Sequence, residues 1–224
     1  MDTAAVAATL RPPSQIFRPE GFSKPLGSVL VLFNHYSRRG VPAWWTVFVL
    51  GGALVQIGLT EPEPRWVMTA AWRHWGVFAP ASRWILRRIA KTYHSFLMPP
   101  MPPAPEDAPV CAATVRQVIH FARGQRCACV CLAPEGRDSG DGSLIEPPPG
   151  AGRFIWQLCR AGLTILPAGV CEEGGAWRVR FGAPFTLTAP DDLSPDERDT
   201  RVSFRVMRAM ADLLPRRLRG SFVS

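Results

Sequence analysis

A chain of 224 residues corresponds to about one large domain or two small ones. Its 47% hydrophobic content, with eight Trp and twelve Phe, supports a substantial core and excludes a mostly disordered chain. The balance of 26 basic against 18 acidic residues gives a net +8. That charge is nearly all arginine; it suits anionic lipid, phosphorylated substrates or nucleic acid and does not choose among them.

Met1 to Leu10 carries Asp2 and has neither a basic stretch nor a long apolar run, so no secretory signal is expected. Met1 to Lys24 reads as a loose or partly helical lead-in, and residues 25–224 as a single domain. Val29 to Phe33 is a continuous apolar run, the pattern of a central strand covered on both faces, and it ends in the polar turn Asn34-His35-Tyr36-Ser37. Val41 to Leu59 is uncharged and approaches the length of a membrane span. A buried helix or one dipping into a single leaflet is the expectation, because the segments on both sides belong to one domain.

Arg65 to Ala71 reads as a second strand and Ala81 to Tyr93 as a helix with Arg83, Arg87 and Lys91 on one face. His94 to Met98 is a short extended piece before a stiff proline-rich stretch, and Pro109 to Gly124 is a helix. Cys127 to Leu132 is a strand broken by Ala133-Pro134-Glu135-Gly136. Alternation puts Cys127, Cys129 and Cys131 on one face, as core thiols, and six cysteines without framework spacing point to a reducing compartment. Arg153 to Ala161 is helix, Leu163 to Leu166 a strand ending at Pro167, and Trp177 to Phe181 an alternating strand. Ser194-Pro195-Asp196-Glu197 starts the last helix with a capping box, and a basic tail, Arg216 to Arg219, closes the chain. Helices alternating with short apolar strands predict an α/β fold with a mostly parallel sheet flanked by helices.

In open α/β sheets ligands gather at the carboxyl ends of strands. Phe33 runs into Asn34-His35 and Leu132 into Pro134-Glu135-Gly136, so His35 and Glu135 share an edge if their strands are parallel neighbours. Asn34-His35 followed by Pro-Glu-Gly after a buried strand resembles the glycerolipid acyltransferases, such as the lysophosphatidic acid acyltransferases. Their first motif reads N-H-x-x-x-x-D and their third F-P-E-G-T-R-S. Leu163 to Val170 is similar to their fourth block, and Phe181-Gly182-Ala183-Pro184-Phe185 to the turn that follows it. The resemblance spans about residues 28 to 188.

The resemblance implies acyl transfer from a thioester, acyl-CoA or acyl carrier protein as co-substrate, to a hydroxyl of a lipid-like acceptor at a membrane surface. It requires no metal and no further cofactor. His35 would be the general base. Asn34, Glu135 and the Gly136 backbone would hold the acceptor, with Arg137 and more distantly Lys91 meeting a phosphate. The expected place is the cytoplasmic side of the membrane, peripheral or monotopic. Two positions depart from the pattern. Gly40 stands where the first motif has its Asp, which orients the histidine, and Asp138 is the candidate to replace that acid. Asp138 also stands where the third motif has a phosphate-binding arginine, so the acceptor need not be a glycerol phosphate. The rival readings are a catalytically weakened lipid- or acyl-chain-binding protein on the same fold and, more distantly, a basic nucleic-acid-binding α/β protein. No nucleic-acid module is recognisable, and none is expected as a partner.

Overall fold

The structure is a computed structural model that describes residues 14–20, 22, 27–59, 63–72, 79–188 and 193–223. Seven strands form one sheet: β1 (Gln15–Phe17), β2 (Val29–Phe33), β3 (Arg65–Thr69), β4 (Phe96–Met98), β5 (Cys129–Leu132), β6 (Thr164–Glu173) and β7 (Ala176–Phe181). Their order is β1-β7-β6-β2-β5-β3-β4. From β6 to β4 every pair is parallel, whereas β7 and β1 run the other way. The class is therefore α/β with a mostly parallel sheet. Part of the expected lead-in joins the sheet as β1, against β7; Met1 to Pro13 lie outside the described residues.

Strand β2 is buried along its whole length because its two faces meet two cores. Leu30 and Leu32 pack with α3 (Ala108–Gly124), α4 (Ala151–Arg160) and α5 (Pro195–Ala211). Val29, Val31 and Phe33 pack with α1 (Trp45–Gln56). The connections β2–α1–β3 and β3–α2–β4, with α2 spanning Ala79–Thr92, step along the sheet in one direction. Right-handed crossovers then put α1 and α2 on the same face, and the returning helices α3 and α4 on the other.

The uncharged segment around α1 is a helix of 12 residues whose Val49, Leu50, Ala53 and Leu54 are buried against the sheet. No helix among the described residues is long and apolar enough to cross a membrane. Cys129 and Cys131 are buried on this same face. Burial pushes the Cys131 thiol well up and the Cys159 thiol up to about 12, so both are held as neutral thiols.

Strand β6 runs six residues past its expected end at Pro167. Ile165 pairs with Phe185 and Ala168 with Phe181, so the partner strand carries one extra residue around Gly182-Ala183-Pro184. A proline lacks the N–H that a ladder needs and is tolerated at such a bulge. The extension carries β6 beyond the carboxyl end of β2, and Gly174 and Gly175, both with positive φ, turn it into β7. The helix starts are of two kinds. Ser194 accepts from Glu197 N–H and Glu197 from Ser194 N–H, the expected capping box of α5. The N-terminus of α4 is capped instead by Asp199 of α5, whose carboxylate accepts from Gly150 and Arg153 N–H at 2.7 and 2.8 Å.

Candidate active site

Strands β2 and β5 are parallel neighbours in register, Val29 beside Cys129 and Leu32 beside Leu132. The two polar turns that follow them therefore emerge together at the carboxyl edge of the sheet. Asn34 is fully buried. Its side-chain amide donates to Val170 O at 2.9 Å and accepts from Val170 N–H at 2.8 Å. That pair of bonds continues the ladder between β2 and β6 for one more step, with a side chain in place of a backbone. Asn34 was expected to hold the acceptor; with both ends of its amide engaged and no surface exposed, it holds the loop instead.

His35 follows at the first position where the chain leaves the sheet. Its backbone N–H donates to Glu135 Oε2 at 2.6 Å, and its ring Nδ1 lies 3.6 Å from the same oxygen. Nδ1 is buried and has no hydrogen-bond partner, while the His35 side chain keeps 26% of its exposure. The ring is thus turned with Nδ1 inward, 6.2 Å from the Phe33 ring, which meets Trp66 edge-on. Two more residues fix the loop, and neither has a signal in the sequence. Thr46 Oγ1 accepts from Tyr36 N–H at 3.3 Å and donates to Tyr36 O at 3.2 Å. Arg38 makes a bidentate pair with Glu172, 134 residues away on the β6 extension.

Glu135 is 2% exposed. Its second oxygen accepts from Ile145 N–H at 3.2 Å, so the loop that leaves the Pro-Glu-Gly turn folds back to close over the carboxylate. Leu144 N–H donates to Leu218 O, which anchors that loop on the C-terminal segment. The carboxyl group expected to hold the acceptor is thus enclosed in this structure, and what it faces is His35. Asp138, expected to replace the missing acid, is exposed and makes no hydrogen bond or ion pair among the described residues. The carboxylate beside the imidazole is that of Glu135.

The remaining candidates separate. Gly136 has φ +66, and a Cβ on it would lie 2.8 Å from Met101 Cγ, so only glycine fits where the β4–α3 connection crosses the turn. Arg137 is exposed and pairs with no described carboxylate. Lys91 lies in the last turn of α2. A crossover helix runs back against its strands, and 14 residues rise about 20 Å, so Lys91 belongs to the opposite edge from His35. Gly40 sits in a tight turn closed by reciprocal bonds between Arg38 and Val41, with φ +80 and nothing within 4 Å of its missing Cβ. A carboxylate there would point into open space.

Fold and site together define a class: an α/β protein with an imidazole and a sealed carboxylate at the carboxyl edge of parallel strands. Among solved structures, the chain is similar to that of the 1-acyl-sn-glycerophosphate (LPA) acyltransferase PlsC from Thermotoga maritima. That similarity is 15% sequence identity and a TM-score of 0.49, over 89% of this chain and 72% of the other. At such values the likeness says nothing of site or activity. No protein-family model and no curated protein sequence matches the chain.

Proposed function

We propose that the protein is an acyltransferase that moves a fatty acyl group from a thioester to a hydroxyl of a lipid-like acceptor, with His35 as general base. The observation that carries the reading is the buried Glu135 carboxylate against Nδ1 of a partly exposed imidazole. A carboxylate on that side favours the tautomer with the proton on Nδ1, leaving the Nε2 lone pair for the acceptor proton. The separation of 3.6 Å is longer than a hydrogen bond, and such contacts tighten when substrate binds.

As Nε2 takes the hydroxyl proton, the acceptor oxygen forms a bond to the thioester carbonyl carbon. The carbon–sulfur bond then breaks, and the departing thiolate recovers the proton from the imidazolium. Glu135 touches neither reactant and acts as a positioning residue, standing in for the acid that Gly40 lacks. Arg137 is free to meet an anionic group of donor or acceptor, with Asp138 beside it weighing against a dianionic phosphate.

The experiment follows free thiol released from palmitoyl-CoA in the presence of lysophosphatidic acid or monoacylglycerol. H35A is expected to abolish acceptor-dependent release. E135Q, which keeps the shape but presents an amide to the His35 N–H, is expected to lower turnover about 10- to 100-fold with little change in KM. Release by H35A at the wild-type rate would remove His35 as the base. Acyl-chain binding without release by the wild type would favour the reading of a lipid-binding protein on this fold.

A further inference from the structure

We infer that the face of the sheet covered by α1 and α2 is a docking surface for an anionic lipid bilayer, with Trp44 and Trp84 as its interfacial anchors. Charge is segregated along the chain: residues 21–105 hold nine basic side chains and two acids, Glu61 and Glu63. This stretch therefore supplies seven of the eight net positive charges. It contains both helices of one face. Helix α2 has no acid, and its Arg83, Arg87 and Lys91 are exposed without a carboxylate partner among the described residues, as is Arg39 beside α1.

The same face exposes much of two tryptophan side chains, although each also meets a neighbour, Arg88 over Trp84 and Phe48 edge-on to Trp44. Trp84 is 65% exposed in the second turn of α2. Trp44, 47% exposed, stacks on Trp45 at 5.0 Å at the start of α1. Both helices follow strands that end at the carboxyl edge, so both tryptophans lie toward the edge that carries His35. Cations interspersed with exposed tryptophan on an amphipathic helix are the chemistry of an interface between lipid headgroups and acyl chains. A nucleic acid would use the cations but would leave no role for Trp44 beside an uncharged helix. The inference deepens the acyl-transfer reading, since it would bring His35 to where a lipid acceptor resides. Binding is measured without turnover, so that the two stand or fall separately.

The full chain is floated with vesicles of phosphatidylcholine alone and of phosphatidylcholine mixed with phosphatidylglycerol. Wild type is expected to float with the anionic vesicles, to be released by added salt, and to shift its tryptophan emission to the blue on binding. R83E/R87E should weaken binding at least about tenfold. R116E/R201E, an equal charge change on exposed positions of α3 and α5, should change it by no more than about twofold. W44S/W84S should bind more weakly and lose most of the blue shift. The inference is overturned if wild type does not float with anionic vesicles or if the two charge-reversal variants behave alike. It is also overturned if only an oligonucleotide, and not the vesicles, is bound through Arg83 and Arg87.

Discussion

Asn34 and Glu135 bracket the candidate base, one before it in the chain and the other 100 residues on, and both are polar side chains buried almost completely. Burying such groups is costly unless each is hydrogen-bonded, and here each is paired with backbone, so the loop that carries His35 is held in one shape. Gly40 belongs to the same loop but plays no part in that pairing, since its turn faces solvent. G40D is therefore expected to leave thiol release within about twofold of wild type, and to cost about 1 kcal/mol of stability because φ is +80 there. A large gain in turnover would show that the turn can refold to bring an acid to His35. Asp138 and Lys91 are candidates by motif position alone, and neither lies against the imidazole.

At the scale of elements, the distant contacts decide most. Helices α4 and α5 approach so closely that a Cβ on Gly152 would lie 2.2 Å from Asp199 O and 2.7 Å from Ser203 Oγ. The same approach lets Asp199 cap α4. G152A should therefore destabilise the protein by about 2 kcal/mol, overpacking outweighing the helix propensity of alanine, as read from the midpoint of urea unfolding. An unchanged midpoint would mean that the two helices can part without loss. The extension of β6 works in the same long-range way. It brings Glu172 and Glu173 past the sheet, where Arg38 clamps the His35 loop to Glu172.

Across the whole molecule, arginines of α2 and those of the β6–β7 hairpin stand in contrasting surroundings. Among the described residues, Arg83 and Arg87 of α2 pair with no carboxylate and Arg88 lies over the Trp84 ring, whereas Arg178, Arg180 and Arg217 surround Glu173 at the β6–β7 hairpin. The hydrogen bond from Arg180 above all holds the Glu173 carboxyl below the usual carboxylate range. A depressed carboxyl contributes stability that is fully present above its ordinary range and is lost as pH falls through the lowered value. E173Q should consequently melt at a lower temperature than wild type near neutrality, and the gap should close as the pH is taken down through that acid window. Parallel Tm curves for the two proteins at all pH values would count against the pairing.

By itself the sequence determined the α/β class, most of the elements and the two strand ends where polar residues collect. These follow from hydrophobic periodicity, capping residues and proline, all of which act within a few residues. Ser194 to Glu197 could be read directly because donor and acceptor lie in one turn, and Val29 to Phe33 because a strand buried on both faces has no polar position. The tertiary structure alone decided that Glu135 is sealed against His35, that Asn34 completes a ladder and that β6 passes through Pro167. Each depends on a partner 10 to 136 residues away, and no local pattern encodes which backbone group will meet a buried carboxylate or amide once the sheet has closed.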